Sequence, residues 1–199
     1  MGATCVGPVS GSMRRSELTL PIRSERLIIR RFSLSDIDDI IEFTAHPSVS
    51  RELTNIPRED REKMLEFVET QNGYSLFEAK KCVDLAVEVK VTGKVIGLLS
   101  LVSNGNYQGE IGWGFGIDYR GEGLATEAAR RLITYAFETC GYHRIFAGTI
   151  ITNTRSWALM ERLGMRKEAH FVKAHVPAEP GGEWIDTVRY AVLAEEWSV

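Results

Sequence analysis

A cluster of small residues at the start of a predicted helix is the stretch of this sequence best suited to chemistry. It reads Arg-Gly-Glu-Gly-Leu-Ala at residues 120–125 and runs directly into a helical pattern. The first N–H groups of a helix have no intrahelical acceptor, and the helix dipole favours negative charge beside them. Glycine permits close backbone approach, and the Arg120 guanidinium suits a forked contact with phosphate. The cluster is therefore either an anion-binding turn or an ordinary turn packed at a helix N-terminus.

Two common phosphate-binding motifs do not fit this cluster. A P-loop requires Gly-Lys followed by Ser or Thr, and the segment GEGLAT at residues 121–126 contains no lysine. A dinucleotide-binding fold places Gly-x-Gly-x-x-Gly early in a βαβ unit, with an acidic residue about 20 positions later. Here the cluster comes late and follows predicted antiparallel strands. Nucleotide hydrolysis and dinucleotide binding are therefore disfavoured.

Composition and charge exclude several classes of protein. A chain of 199 residues suits one domain with a full core. The hydrophobic fraction of 44% and the charged fraction of 26% exclude disordered and fibrous classes. The net charge of −3 and the lack of a basic run disfavour a nucleic-acid partner. No apolar run approaches the ~20 residues of a membrane span, so no membrane role is expected.

Cysteine and histidine spacing indicates neither a disulfide framework nor a metal site. Free thiols in a reducing cytoplasm are expected for the three widely spaced cysteines, Cys5, Cys82 and Cys140. Surface or packing roles, and no metal, are expected for the four histidines, His46, His143, His170 and His175. His175 is also a candidate for substrate contact, because it lies near the predicted acceptor end.

Hydrophobic periodicity predicts one mixed α/β (α+β) domain at residues 18–199, preceded by a mobile tail at residues 1–17. The predicted order is β-α-α-β-β-β-β-α-β-α-β-β. Helices are expected at residues 33–46, 57–73, 124–140 and 153–163, the second with Pro57 near its start and the last with Asn153 as N-cap. Strands are expected at residues 26–32, 74–79, 82–90, 94–103, 107–117, 144–151, 167–176 and 184–194.

Several segments, beginning with the glycine cluster, resemble one superfamily. YRGEGLATEA at residues 119–128 is similar to the Arg/Gln-x-x-Gly-x-Gly/Ala signature of the GNAT superfamily of acetyl-CoA N-acetyltransferases. NTRSWALMERLGM at residues 153–165 resembles its later helix. SERLIIRRFSLSDIDDI at residues 24–40 resembles the opening of the Rim-type branch, which modifies the N-termini of ribosomal proteins. GEIGWGF at residues 109–115 and the tail at residues 184–197 are also similar to that branch.

The resemblance extends from about residue 22 to the end and implies a GNAT-like domain. Its central sheet would be mixed and mostly antiparallel, with flanking helices and a splayed strand pair that holds the pantetheine arm of CoA. The splayed strand would be Glu110–Ile117, where Gly112, Gly114 and Gly116 permit close approach or accommodate bulky neighbours. The residues that the resemblance assigns to acetyl-CoA are Phe115, Gly116, Ile117, Arg120, Gly121, Gly123, Leu124, Ala125, Thr126, Asn153 and Ser156.

The same resemblance implies direct attack of an amine on the thioester, with two candidate catalytic residues. Glu110 would remove a proton from the amine through a water, or it would only bind substrate. Many relatives use a tyrosine near the CoA sulfur, but Trp157 stands where it might sit and cannot give up a proton. Ser156 is the nearest hydroxyl. Ser156 would act as an acid, contact the N-terminal end of the helix or hydrogen-bond to CoA. If CoA leaves unaided as a thiolate, no side-chain acid is needed.

The acceptor amine is not specified by these motifs. The Rim-type resemblance favours a peptide α-amine, while small amines such as polyamines, amino acids or antibiotics remain an alternative. Another alternative is a non-catalytic acyl-CoA-binding module. The two early helices, the loop near residues 46–58 and the closing hairpin with its loop at residues 177–183 would form the acceptor pocket. A monomer or a homodimer is expected.

Overall fold

An eight-stranded sheet runs through the described part of the chain. The structure is a computed structural model that describes residues 19–50, 53, 56–57, 60–75, 82–176 and 182–198. Its strands are β1 (Ile22–Arg23), β2 (Leu27–Arg30), β3 (Cys82–Val89), β4 (Val95–Ser103), β5 (Gln108–Phe115), β6 (Arg144–Ile150), β7 (Arg166–His175) and β8 (Ile185–Leu193). Its α-helices are α1 (Ile37–Thr44), α2 (Pro47–Ser50), α3 (Arg61–Gly73), α4 (Leu124–Glu138) and α5 (Thr154–Arg162).

The strands lie in the order β1-β2-β3-β4-β5-β6-β8-β7. The neighbours pair antiparallel except for β5 and β6, which are parallel. The prediction of a mixed, mostly antiparallel sheet with flanking helices is therefore confirmed. β8 inserts between β6 and β7, so the terminal hairpin extends the sheet beyond β6.

Apolar side chains fill both faces of the sheet, as the alternation along the strands requires. On one face, odd-numbered residues such as Val83, Leu85 and Leu99 pack against α4 and α5. On the opposite face, here called the α1–α3 face, Ala86 and Leu98 pack against α1, α2 and α3. The predicted core residues of α4 are all buried, namely Ala128, Ala129, Leu132, Ile133, Ala136 and Phe137.

The observed elements differ from the predicted ones mainly at their ends. β1 was not expected, since it is two residues long and forms only by pairing with β2. The prediction that Pro57 lies near the start of the second helix is wrong. Arg61 is the first residue of α3, because the Asp60 carboxylate accepts hydrogen bonds from the amides of Glu62 and Lys63. The short helix α2 was also missed.

Some predictions fall on residues that the structure does not describe. These are the tail at residues 1–17, most of the strand expected at residues 74–79, and most of the loop at residues 177–183.

The parallel pair β5 and β6 is the feature of the sheet that matters most for function. It contains three pairs, Gln108–Arg144, Gly109–Ile145 and Glu110–Phe146. Beyond Glu110, β5 stays paired with β4 through Phe115, whereas β6 continues alongside β8. The two strands thus separate after their third pair, and the expected splayed strand pair is confirmed.

Candidate active site

The gap between β5 and β6 is lined on one side by the backbone of β5. The amide of Gly116 donates to the carbonyl of Ile96 at 2.9 Å, so its N–H is directed toward β4. Because hydrogen-bonding directions alternate along a strand, the backbone groups of Trp113 and Phe115 are directed toward the gap. Phe115 was expected to line it. Trp113 was missed, because the direction of a backbone group follows from the strand register rather than from residue type.

The glycine cluster forms a turn whose amides are free. Gly121 and Gly123 have φ angles of 86° and 77°, in the left-handed region that favours glycine. The first amide of α4 with a backbone acceptor is that of Glu127, which donates to Gly123. Within the described residues, the amides of residues 121–126 donate to no group. This set includes Gly121, Gly123, Leu124, Ala125 and Thr126, as the sequence predicted for an anion site.

Contacts from Arg26 and Ser24 secure the turn from outside. The Nε atom of Arg26 lies 2.6 Å from Glu127 Oε2, and its Nη1 donates to the carbonyl of Glu122 at 3.0 Å. Ser24 Oγ donates to Glu127 Oε1 at 2.8 Å. These bonds occupy the carboxylate of Glu127, the acidic residue in the first turn of α4, with partners on the N-terminal segment.

Arg120 precedes the turn and carries an unsatisfied donor. Its Nη1 atom is buried and has no hydrogen-bond partner among the residues described. A buried donor without an acceptor costs free energy, most of all when it is charged. The turn and the residue before it thus combine backbone N–H donors with a guanidinium that lacks an acceptor for one nitrogen among the described residues, a set of donors that suits a phosphate group.

Glu110 lies at the point where the two strands separate. It forms the last pair of β5 with β6, opposite Phe146. Its side chain is half-buried, and its carboxylate makes no hydrogen bond or ion pair within the described parts of the chain. The α1–α3 face carries this side chain, because Glu110 is opposite Val102 and Val102 is opposite Cys82. A free carboxylate at this position is able to accept a proton from a group in the gap.

Asn153 and Ser156 lie at the start of α5. The side-chain oxygen of Asn153 accepts from the Ser156 amide at 3.2 Å, so the N-cap interpretation of Asn153 is confirmed. The Ser156 hydroxyl is half-buried and has no hydrogen-bond partner in the described chain. Trp157 donates from Nε1 to the carbonyl of Ile151 at 3.2 Å, so its indole N–H is hydrogen-bonded to the loop before α5.

A second polar group on the α1–α3 face was not expected from the sequence. Asp84 is 1% exposed, and its Oδ1 accepts from Ser100 Oγ at 2.5 Å and from Cys82 Sγ at 3.4 Å. Burial raises the pKa of Asp84 above its usual range. Burial, together with the Asp84 carboxylate, raises the pKa of the Cys82 thiol to about 12. The sequence signal that could have revealed this group is the pair of polar residues, Cys82 and Asp84, at alternate positions of the otherwise apolar start of β3.

The remaining candidates lie away from the gap. His175 is exposed at the end of β7, and β8 separates that strand from β6. Within the described residues, His, Cys, Asp and Glu side chains nowhere gather in a group of three or more that could hold a metal ion. No helix in the described parts of the chain combines the length and the apolar character that crossing a bilayer requires.

Comparison with known proteins places this geometry in a family. The family model of the acetyltransferase (GNAT) domain matches residues 26–166. The uncharacterized N-acetyltransferase YnaD of Bacillus subtilis (strain 168) is 33% identical over 182 residues, which cover 89% of this chain and 99% of YnaD. The [ribosomal protein uS5]-alanine N-acetyltransferase of Escherichia coli (strain K12) is 34% identical over 88 residues, 44% of each chain.

A solved structure agrees with these sequence matches. The crystal structure of an acetyltransferase (GNAT family) from Bacillus anthracis superposes with a TM-score of 0.74 at 32% identity, covering 89% of this chain and 100% of that one. The family match, the relative YnaD that covers 89% of this chain and the splayed strand pair all agree. The chain therefore belongs to the GNAT family of acetyl-CoA-dependent N-acetyltransferases.

Proposed function

We propose that this enzyme acetylates a primary amine with Glu110 as the general base, and that its preferred acceptor is a peptide α-amine. The observation that carries the proposal is the position of Glu110, which lies where β5 and β6 separate and whose carboxylate makes no hydrogen bond or ion pair among the described residues. Acetyl-CoA supplies a thioester that an uncharged amine attacks. Most amines are protonated at neutral pH, so a base beside the gap is needed.

The residues of the glycine turn fit the diphosphate of acetyl-CoA. The free amides of Gly121, Gly123, Leu124, Ala125 and Thr126 are donors for phosphate oxygens. The buried Nη1 of Arg120 lacks an acceptor within the described residues, and a phosphate oxygen would provide one. The turn thus combines backbone N–H donors with a guanidinium donor, the set that a phosphate group requires.

The backbone of β5 would hold the pantetheine arm of acetyl-CoA. Trp113 and Phe115 direct backbone groups toward the gap. Ile117 is less suited than expected, because β5 ends at Phe115 and Ile117 begins a short 3-10 helix, where its carbonyl accepts from the Arg120 amide. Gly116 is less suited than expected, since its amide already donates to Ile96. An N–H of β5 would also face the thioester oxygen and stabilise the charge that develops there.

Asn153 and Ser156 would contact CoA from the other side of the gap. The Asn153 side-chain oxygen caps α5, which leaves its amide N–H groups for a ligand. The Ser156 hydroxyl, without a partner among described residues, would donate a hydrogen bond to CoA or to the departing sulfur. A thiol has a pKa of about 8.5, so the thiolate leaves readily and Ser156 assists rather than controls its release.

The acceptor assignment rests on proton affinity and on local charge. A peptide α-amine has a pKa near 8, against about 10.4 for lysine, so a weak base deprotonates it more easily. The Arg144 and Arg189 guanidiniums stack on Phe146 at 5.1 and 5.0 Å from its centroid. Phe146 is opposite Glu110. Arg144 is ion-paired with Glu168, so Arg189 rather than Arg144 would disfavour an acceptor with several positive charges. The name of the Escherichia coli relative specifies an alanine N-terminus for that enzyme.

The test is competition among three acceptors under identical conditions. They are a short peptide with a free N-terminal alanine, the same peptide N-blocked and carrying lysine, and spermidine. We expect the highest kcat/KM for the free α-amine. A preference for spermidine or for the lysine peptide would contradict the α-amine assignment and would favour a small-molecule or side-chain acceptor, without changing the role of Glu110.

A further inference from the structure

Asp84 is a buried acid that the proposed mechanism does not use. It is 1% exposed, and its Oδ2 atom has no hydrogen-bond partner among the described residues. Its Oδ1 atom accepts from Ser100 Oγ at 2.5 Å and from Cys82 Sγ at 3.4 Å. Burying a carboxylate with one free oxygen costs stability. A buried carboxylate that is present despite this cost marks a candidate functional site.

Strand register places the Asp84 cluster beside the proposed base. Asp84 is opposite Ser100, and Ser100 is opposite Gly112. Two residues earlier on β5, Glu110 is opposite Val102. Paired residues point to the same face of a sheet, and so do residues two apart on one strand. Asp84, Ser100 and Glu110 therefore share the α1–α3 face, with Gly112 among them.

Gly112 leaves room above the strand at this point. A Cβ atom added to Gly112 would lie 3.4 Å from Ser100 Cβ and 3.6 Å from Ser100 Oγ. Gly112 and Ser100 are both half-buried rather than buried. Without a side chain at Gly112, the surface beside the Ser100 hydroxyl is partly open, and Glu110 lies two residues away along β5 on the same face.

The hydrogen bond to Asp84 determines what Ser100 recognises. A serine hydroxyl has one proton and two lone pairs. Because Ser100 donates its proton to Asp84, it presents lone pairs to the space above Gly112 and accepts from an N–H donor there. The Asp84 amide donates to Gln71 Oε1 at 2.9 Å, which fixes this segment of β3 against α3.

We propose that Ser100, oriented by Asp84, and Glu110 form a two-sided subsite for the reacting amine above Gly112. Ser100 accepts one N–H of the acceptor, and Glu110, through a water, takes the proton that must leave. The hydrogen bond to Ser100 then holds the nitrogen with its lone pair free for the thioester. Ser100 contacts substrate, and Asp84 is a positioning residue. This inference rests on the proposed acetyl transfer to an amine.

Steady-state kinetics of the Ser100→Ala variant test the subsite. The acceptor is whichever of the alanyl peptide, the N-blocked lysyl peptide and spermidine gives the highest kcat/KM with the wild type. We expect the acceptor KM to rise roughly ten- to hundredfold, the loss of a hydrogen bond to a charged group. The dissociation constant of CoA is expected to stay unchanged, and Ser100→Thr is expected to restore most of the acceptor KM. The matched control is Ser103→Ala, which removes a hydroxyl from the same strand on the opposite face.

A double-mutant cycle tests whether Asp84 acts through Ser100. Asp84→Asn keeps an acceptor oxygen, but the new side chain can also turn an N–H toward Ser100. Because Ser100 is then no longer held as a donor to residue 84, we expect the acceptor KM to rise. In the Ser100→Ala background, this further effect is expected to vanish. An acceptor KM within twofold of the wild type in folded Ser100→Ala would overturn the subsite. Additive effects would overturn the positioning role. Failure of the wild type on all three acceptors would contradict the proposed function and the subsite with it.

Discussion

At the scale of single residues, two acidic side chains on the same face of the sheet have different environments. Glu110 is half-buried, and its carboxylate makes no hydrogen bond or ion pair among the described residues. Asp84 is buried, and burial raises its pKa. Environments that differ in this way assign different roles to two carboxylates in one site. In the proposed mechanism, Glu110 takes the proton and Asp84 orients a neighbour.

Substitution of Glu110 by Gln tests the base at this scale. The amide keeps the size of the side chain but cannot accept a proton, so we expect kcat at pH 7 to fall by about 10²–10⁴. The deficit is expected to shrink at high pH, where more of the amine is already neutral. CoA affinity, measured by calorimetry, is expected to stay unchanged. Glu138→Gln, at an exposed position on α4, is the control. Full activity of Glu110→Gln at pH 7 would assign Glu110 to substrate binding.

The raised pKa of Asp84 leads to a prediction about stability. The folded state holds the Asp84 proton more tightly than the unfolded chain, whose Asp pKa is about 3.9. This group therefore lowers the free energy of unfolding as pH rises from that value toward the raised pKa. Asp84→Asn removes the effect. We expect its stability relative to the wild type to increase with pH in urea titrations from pH 4 to 8, and a constant difference would contradict this.

At the scale of elements, α4 differs from α3 and α5 in how the backbone N–H groups at its N-terminus are capped. Asp60 caps α3 and Asn153 caps α5 with side-chain oxygens. The N-cap of α4 is Gly123, in a left-handed conformation and without a side-chain cap. With a glycine cap, the first amides of the helix have no acceptor among the described residues. The missing side-chain cap costs α4 some stability and keeps these donors available for an anion.

Replacement of Gly123 by Asp tests this use of the turn. The new carboxylate would repel the diphosphate and would accept hydrogen bonds from the same amides. We expect CoA affinity in calorimetry to fall at least tenfold, about 1.4 kcal/mol. Gly93→Asp is the matched control, because Gly93 also has a left-handed φ, of 70°, in a hairpin with open space around it. Unchanged affinity in a folded Gly123→Asp variant would remove the anion-site interpretation.

At the scale of the whole molecule, the sheet consists of two parts joined by a short seam. Strands β1 to β5 form one part and β6, β8 and β7 the other, and the seam is the three-pair contact between β5 and β6. The face covered by α4 and α5 has a continuous core across the seam, which includes Ile111 from β5 and Ile145 from β6. A ligand in the gap would contact both parts and add to the connection between them.

Thermal unfolding with different ligands tests this expectation. At a hundred times its dissociation constant, CoA is expected to add about 2.7 kcal/mol of stability. For a chain of this size that corresponds to a rise in Tm of roughly 5–10 °C. ATP and NAD at the same concentration are expected to give smaller shifts, since they lack the pantetheine arm. The Gly123→Asp variant serves as the control for binding at the turn, and equal shifts for all three ligands would contradict a CoA site.

The amino-acid sequence by itself determined the features that depend on neighbouring residues. The apolar face of α4, the Asn153 cap of α5 and the glycine turn follow from patterns a few residues long, and the structure contains each of them. The family motifs are similarly local, which is why they identified the superfamily. Glu110 was a candidate because it lies within such a motif.

Only the tertiary structure decided which distant residues meet. β1 exists because β2 supplies its partner, and β8 lies between β6 and β7 although it follows both in the chain. Trp113 directs its backbone into the gap because β4 fixes the register of β5. The contact between Asp84 and Ser100 joins two strands through the same kind of pairing. Strand pairing depends on contacts between residues far apart in the chain, so the local patterns read from the sequence could not specify these arrangements.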